Sequence, residues 1–206
     1  MSLVYEILLH QPDKIEEIYL GSNASKTPSY DRLLELIKEK GVSWQINDNM
    51  MKSLSVKDNT YALAVFKRYS SRLANDKVHL ILDLDDYEDL GTIIRSAIAF
   101  DFKDIAILNK DIDIFDPVIV RNSAGAIFSA NIEQFDTLDE YLARYKRKVE
   151  RISSKGRGNY ETHELNKDQS ILFDNSSEGL RIEAARDLDD ALYIGACLYE
   201  LMHYVL

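Results

Sequence analysis

The segment Asp86-Tyr87-Glu88-Asp89-Leu90-Gly91-Thr92-Ile93-Ile94-Arg95-Ser96-Ala97 carries the strongest indication of the fold. It follows an apolar run over residues 78–82, which predicts a buried strand, and it opens a run of helical periodicity that ends at Phe100. A strand, a tight turn and a helix with one inward Arg form a common layout for ligand sites at the carboxyl end of a parallel sheet. The segment therefore predicts an α/β domain with a functional site around Arg95.

The composition is that of a globular protein with one or two domains. The 206 residues are 46% hydrophobic and 29% charged. No apolar run approaches the ~20 residues that span a bilayer, and the N-terminus lacks the features of a signal peptide. The single Cys197 lies in an apolar helical run, which excludes a disulfide framework and favours a buried thiol over a nucleophile. These features predict a cytoplasmic protein without a membrane partner.

The net charge of −10 is unevenly distributed. Residues 1–70 contain nine basic and nine acidic side chains, so the whole negative excess lies in residues 71–206. This balance disfavours nucleic-acid binding by bulk electrostatics, and no DNA partner is expected. An RNA partner would need a local basic patch, for which the chain offers Arg144, Lys146, Arg147, Lys148, Arg151, Lys155 and Arg157. The same side chains are also typical of a solvated helix end and strand edge.

The first part of the chain, residues 1–70, predicts a small α/β domain. Its periodicity favours helices over 4–9, 30–40 and 49–54 and strands over 14–20, 42–46 and 61–66. Gly41 is expected to end the second helix. The polar residues 71–77 then predict a linker.

The second part, residues 78–206, alternates between the two kinds of element. Strands are predicted over 78–84, 104–108, 130–135, 148–153 and 170–173, and helices over 90–100, 116–123, 138–145 and 188–205. Asp116 is a suitable N-cap, with Pro117 at the first helical position. This alternation predicts a parallel sheet.

Three motifs in the second part resemble those of one known family. The first consists of Asp89-Leu90-Gly91 followed by Arg95, and the second is the run from Asp116 to Phe128, with Arg121-Asn122-Ser123-Ala124-Gly125 at its centre. The third is Asp174-Asn175-Ser176-Ser177-Glu178-Gly179-Leu180, which follows a predicted strand. In this order the motifs resemble the SpoU/TrmH family of RNA 2′-O-ribose methyltransferases, within the SPOUT superfamily.

The resemblance implies both a fold and a function. It implies a parallel sheet with a C-terminal trefoil knot, preceded by a small ribosomal-protein-like substrate-binding domain. It implies methyl transfer from S-adenosylmethionine to a ribose 2′-hydroxyl of an rRNA or tRNA, carried out by a homodimer. Gly91 would allow a tight turn.

The resemblance also assigns residues to the site. Arg95 and Asp89 would be catalytic, with Asp89 standing where the family has Asn. Cofactor-binding positions would be Phe173, Asp174, Asn175, Gly179, Leu180, Leu188 and Asp189. RNA-binding positions would be Arg121 and Ser123 of the second motif, to which the basic patch adds Arg144, Lys146, Arg147, Lys148 and Arg151. The alternative for Arg95 is a salt bridge to nearby carboxylates, and the alternative for the second motif is packing alone.

Several residues depart from the family pattern. Asp174 and Ser177 replace two glycines, and only residues 181–186 stand where the family has a longer cofactor loop. The added carboxylates would repel an RNA phosphate. Two further hypotheses therefore stay open: an inactive relative that still binds RNA, and an acidic dimeric module that binds proteins.

No metal site is predicted. The acidic residues between 83 and 89 could offer oxygen ligands to a divalent cation, but their spacing differs from an EF-hand loop. They also suit the start of a helix, where carboxylates interact favourably with the helix dipole.

Overall fold

The computed structural model describes residues 1–55, 60–161, 164–174, 179–182 and 189–205. The chain divides into two compact units, Met1–Tyr69 and Ser70–Leu206. Within the described ranges, no helix has the length and apolar character needed to cross a membrane.

The first unit combines a three-stranded sheet with three helices. The strands are β1 (Ile15–Leu20), β2 (Trp44–Ile46) and β3 (Ala62–Phe66), and the helices are α1 (Ser2–His10), α2 (Tyr30–Lys40) and α3 (Asp48–Leu54). Strand β1 lies in the centre, parallel to β2 and antiparallel to β3. Gly41 ends α2 with a φ of 66°, as predicted, because glycine adopts this left-handed conformation without steric cost.

The second unit contains a seven-stranded sheet. Its strands are β4 (His79–Leu82), β5 (Asp104–Ile107), β6 (Asn131–Gln134), β7 (Lys148–Ile152), β8 (Gly158–Asn159), β9 (Gln169–Phe173) and β10 (Leu180–Arg181). They follow the order β6-β5-β4-β9-β7-β10-β8, and every pairing is parallel. The predicted α/β fold with a parallel sheet is therefore confirmed.

The described part of this unit contains four α-helices: α4 (Tyr87–Ala99), α5 (Pro117–Asn122), α6 (Leu138–Tyr145) and α7 (Asp190–Leu201). Helix α4 packs against both α5 and α7. It begins three residues before the predicted start, because the Asp86 side chain caps it. Helix α7 ends at Leu201 and not at the predicted residue 205, and Leu188 lies outside the described residues.

Gly91 lies inside α4 and does not form the predicted tight turn. A Cβ atom at this position would lie 2.6 Å from Asn122 Cβ and 2.9 Å from the Ile119 carbonyl oxygen. The absence of a side chain therefore allows α4 and α5 to approach closely. This packing brings the first and second motifs together.

Residues 71–77, for which the polar composition predicts a linker, belong to the second unit. Leu73 is buried, and its backbone N–H donates to the Tyr145 hydroxyl at 3.2 Å. The backbone N–H of Ala74 donates to the Asp104 carboxylate at 2.7 Å. The segment has no regular secondary structure, but Tyr145 on α6 and Asp104 on β5 anchor it.

Candidate active site

The loop after β4 and the start of α4 form the centre of the candidate site. The Asp86 carboxylate accepts hydrogen bonds from the backbone N–H groups of Glu88 and Asp89, both at 2.9 Å. These bonds satisfy two of the N–H groups that a helix leaves free at its start. The acidic cap therefore explains part of the predicted acidic cluster as local helix chemistry.

Arg95 lies on α4 with an exposed side chain, not the inward one predicted. Within the part of the chain that the structure describes, its guanidinium has no hydrogen-bond or ion-pair partner. The alternative of a structural salt bridge to the nearby carboxylates is therefore not observed. An exposed guanidinium without a partner keeps its full capacity to bind an anion.

Asp89 lies beside the start of α7. Partial burial raises the pKa of the Asp89 carboxyl, and neighbouring carboxylates raise it further. Those carboxylates include Asp86 on its own helix and Asp190 and Asp189 on α7. Asp189 caps α7 by accepting from the Leu192 N–H at 2.9 Å. The structure therefore brings together the first motif and the cofactor-binding residue predicted at Asp189.

The end of β9 lies next to the same loop. Phe173 is buried, and its carbonyl oxygen accepts from the Asp83 N–H at 3.0 Å. Asp174 follows directly, and its carboxylate is 3.1 Å from Arg151 Nε on β7. Desolvation raises the pKa of Asp83, and the charge of Asp174 adds to this effect. Asp83 is a site residue that the motif comparison missed, although its position directly after a buried strand was a usable signal.

Gly179 is buried beside β7, whereas Leu180 in the following strand β10 is 41% exposed. A Cβ at Gly179 would be 2.9 Å from Ser153 Cβ, and a Cβ at Gly156 would be 2.3 Å from the Gly179 carbonyl oxygen. The Ser153 N–H donates to the Leu180 carbonyl at 2.8 Å. Two backbone segments therefore touch here, which only glycines permit. Asn175, also predicted to bind cofactor, lies outside the described residues.

The predicted basic patch is divided between two ends of the sheet. Arg144 and Lys146 end α6, and Lys148 begins β7, so these residues lie at the amino end of that strand. Arg151 lies three residues further on, about 10 Å along the strand, and pairs with Asp174. The structure therefore does not bring these side chains together as one surface around Arg95.

Several members of this patch already have acidic partners. Arg144 pairs with the Glu133 carboxylate. Lys148 Nζ lies 3.7 Å from Glu150 Oε1, with 74% of its side chain exposed. Lys146 is exposed. The exposed lysines are thus the members with most freedom to contact a partner.

Arg147 is a buried structural residue, not a surface contact. Its guanidinium donates to the carbonyl oxygens of Lys77 and Lys167, both at 2.7 Å, and of Asn75 at 2.6 Å. Only 8% of the residue is exposed. We therefore leave Arg147 out of the proposed RNA contacts. A charged residue at a helix–strand junction looks the same in sequence whether it faces solvent or carbonyl groups.

The second motif contributes mainly packing. Ser123 is fully buried, and its hydroxyl donates to the Val120 carbonyl at 3.0 Å. Ala124 and Gly125 adopt positive φ angles of 52° and 85°, which turn the chain after α5. Arg121 is exposed in the last turn of α5. Of the two RNA-binding residues predicted here, only Arg121 is accessible to a ligand.

Residues 77–196, more than half of the chain, match the model of the SpoU rRNA Methylase family. The chain belongs to this family. The SpoU match begins just before β4 and ends within α7, so it includes every strand of the second sheet and all the described site residues. No curated protein matches the sequence.

Solved structures with the SpoU fold resemble the whole chain. An AdoMet-bound rRNA methyltransferase from Sinorhizobium meliloti is 19% identical, with a TM-score of 0.73, and the match covers 100% of this chain and 86% of that one. The SpoU methyltransferase AviRb from Streptomyces viridochromogenes, in complex with AdoMet, is 17% identical, with a TM-score of 0.71 and coverage of 97% and 87%. A TrmH-family putative RNA methyltransferase from Porphyromonas gingivalis is 19% identical, with a TM-score of 0.70 and coverage of 97% and 86%. At these identities the likeness establishes the fold.

Within this SpoU fold, the described residues offer no metal centre. No group of three or more His, Cys, Asp or Glu side chains in the described ranges is arranged to hold a metal ion. Cys197 is fully buried, as expected, and burial raises the pKa of its thiol to about 12. A thiol in this environment stays protonated, which fits a structural role.

Proposed function

We propose that this SpoU-family chain is an S-adenosylmethionine-dependent RNA methyltransferase that modifies a ribose 2′-hydroxyl of an rRNA or tRNA. The observation that carries the proposal is the position of Arg95. Its guanidinium is exposed and has no partner among the described residues. It lies on α4, which starts at the acidic edge of the sheet, formed by Asp83, Asp86, Asp89 and Asp174. A guanidinium in this state suits a nucleotide phosphate, which it binds with two parallel hydrogen bonds.

The acidic edge fits the charge of the cofactor. Asp83 and Asp89 both have raised pKa values, partly because neighbouring carboxylates repel their charged forms. S-adenosylmethionine carries a positive sulfonium and a positive ammonium group, and either would relieve this repulsion. We assign its binding to the ends of β4 and β9 and the start of α7, through Phe173, Asp174, Gly179, Leu180 and Asp189. When bound, the cofactor supplies an electrophilic methyl group.

Arg95 and Asp89 would act on different parts of the bound nucleotide. They are six positions apart on α4, which corresponds to about 9 Å along the helix axis. Arg95 would hold the phosphate and ribose in place, which fixes the direction of attack by the 2′-hydroxyl. Asp89 would accept the hydroxyl proton, and its raised pKa makes it a stronger base than an ordinary aspartate.

We further propose that the first unit, Met1–Tyr69, binds the RNA and that the second unit, Ser70–Leu206, is the methyltransferase domain. The first unit is electrically neutral, whereas the second carries the whole net charge of −10. It also has a cleft of about 400 Å³ at the ends of the parallel strands β1 and β2, lined in part by Ser22, Asn23, Asp48 and Lys52. In the second unit, the exposed side chains of Arg121, Lys146 and Lys148 would make their own contacts with RNA phosphates.

A homodimer and a knotted chain complete the proposal. Leu192, Tyr199 and Met202 on or next to α7 are 57%, 52% and 38% exposed, and an apolar surface of this kind suits a second copy of the chain. Strand β10 lies between β7 and β8, which are themselves joined by residues 153–157. This order supports a trefoil knot, in which the chain passes through that connection. The single thiol, without a disulfide, supports a cytoplasmic location.

The test is methyl transfer from labelled S-adenosylmethionine to rRNA and tRNA, followed by nucleoside analysis for 2′-O-methylation. Arg95→Ala should lower the rate by about 100-fold, in line with the loss of one preorganised electrostatic contact. Arg72→Ala is the matched control, because Arg72 is also exposed but lies in the segment anchored by Tyr145 and Asp104. Equal rates for the two variants would refute the role of Arg95. RNA binding without transfer would favour the inactive relative.

A further inference from the structure

Arg151 makes two contacts that the family resemblance does not explain. The first is its ion pair with Asp174, in which Nε lies 3.1 Å from Oδ2. The Asp174 side chain is only 8% exposed, so solvent screens this pair less than an ordinary surface pair. Asp174 stands where the SpoU family motif has its first glycine, and a glycine could not make this contact.

The second contact is with Gly179, at the other end of the third motif. A Cβ at Gly179 would lie 3.2 Å from Arg151 Cγ and 2.9 Å from Ser153 Cβ. The aliphatic stem of Arg151 therefore covers the Gly179 backbone. The next residue, Leu180, pairs with Ile152, which directly follows Arg151 on β7. The Arg151 side chain thus contacts residues near both ends of the third motif, Asp174 and Gly179.

We propose that Arg151 is a positioning residue that holds Asp174 and Gly179 against β7 and thereby sets the cofactor site. The inference deepens the proposed function and rests on it. The pair fixes one described end of the motif by charge, and the stem fixes the other by packing. The backbone freedom of a glycine at position 174 is thereby replaced by a side-chain anchor. Arg151 also offsets the repulsion between the nearby Asp83 and Asp174 carboxylates, which would be uncompensated without this cation.

The test removes the ion pair and leaves the stem in place, with two single variants and their double variant, and Arg151→Lys serves as the rescue variant. Arg151→Met keeps the stem and removes the charge, Asp174→Asn removes the opposite charge, and the double variant removes both. Lys103→Met is the matched control, because Lys103 forms an exposed pair with Asp101 at 2.7 Å. Two quantities are measured: the Kd for S-adenosylmethionine by calorimetry, and amide hydrogen exchange over residues 171–182 in the free protein.

Arg151→Met and Asp174→Asn should each raise the Kd about 10-fold and speed amide exchange over 171–182 by a similar factor, as expected for one lost charge-assisted contact. The Kd and the exchange rate of the double variant should not exceed those of the more strongly affected single variant, because each single variant already removes the same ion pair. Arg151→Lys should recover most of the wild-type behaviour, and Lys103→Met should change neither quantity. These rescue and control results also show that the protein remains folded.

Unchanged exchange in Arg151→Met, or effects of the two single variants that multiply in the double variant, would overturn the inference. The exchange measurement does not depend on the cofactor. If the wild-type protein binds no cofactor and Arg151→Met still shows faster amide exchange, the positioning role is supported and the proposed function is rejected.

Discussion

Replacing Gly91 by Ala tests how the first two motifs are held together. The new Cβ would lie 2.6 Å from Asn122 Cβ, about 1 Å inside the usual carbon–carbon contact distance. It would also meet the Ile119 carbonyl oxygen at 2.9 Å, and a backbone atom cannot turn aside as a flexible side chain can. Overpacking of this kind costs about 3 kcal/mol at the upper end of its range. The better helix propensity of Ala returns about 1 kcal/mol. We therefore expect Gly91→Ala to lower the free energy of unfolding by about 2 kcal/mol.

Gly195→Ala is the matched control for this prediction. Gly195 also lies inside a helix, but the nearest atom to its added Cβ would be Ser96 Oγ at an ordinary 3.6 Å. Only the propensity term remains, so this variant should gain up to about 1 kcal/mol. Urea unfolding followed by far-ultraviolet circular dichroism measures both changes as shifts of the midpoint at constant m. A Gly91→Ala protein as stable as Gly195→Ala would refute the close packing of α4 on α5.

Three other predictions concern the pKa values and the proposed interface. Burial lowers the pKa of His79, whose Nε2 lies 2.7 Å from the Ala74 carbonyl oxygen. The unfolded state therefore binds a proton more readily than the folded state. The free energy of unfolding should fall as the pH drops below about 6.5, by at most about 1.4 kcal/mol per pH unit. His79→Gln should remove this slope in urea unfolding at several pH values, and a slope that persists would implicate another group. Asp89→Asn should slow methyl transfer about 100-fold. It should also abolish the fall in rate at acidic pH, whose midpoint in the wild type lies above the usual pKa range of an aspartate. An unchanged pH–rate profile would exclude Asp89 as the base. Leu192→Glu should convert a dimer to a monomer in sedimentation, whereas Leu54→Glu, at an apolar position that is 47% exposed, should not. A monomeric wild-type protein would contradict the proposed interface.

Much of the second unit was predictable because its elements are long and strongly patterned. The strands β4 and β9 are buried along their whole length and end in apolar runs, as parallel strands between helices must be. The strands β8 and β10 have only two residues each, and no periodicity can reveal an element of that length.

The candidate site was predictable only in part, because a motif gives residue types and not their surroundings. Arg95 and Arg147 were both predicted to contact the substrate, yet Arg95 is exposed and Arg147 is buried among carbonyl groups. Gly91 was expected in a turn, but it allows a helix contact with Ile119 and Asn122, which lie about thirty positions further along the chain. Such contacts depend on the tertiary packing, which a local pattern does not contain.

The most direct test of the account is a calorimetric titration of the full chain with S-adenosylmethionine. We predict one site per chain with a Kd in the micromolar range, equivalent to about −8 kcal/mol. This result would mean that the acidic edge, with Asp174 held by Arg151, still binds the cofactor of the SpoU family. Absence of any heat of binding up to millimolar cofactor would contradict the account, and the chain would then be a SpoU fold without methyltransferase chemistry.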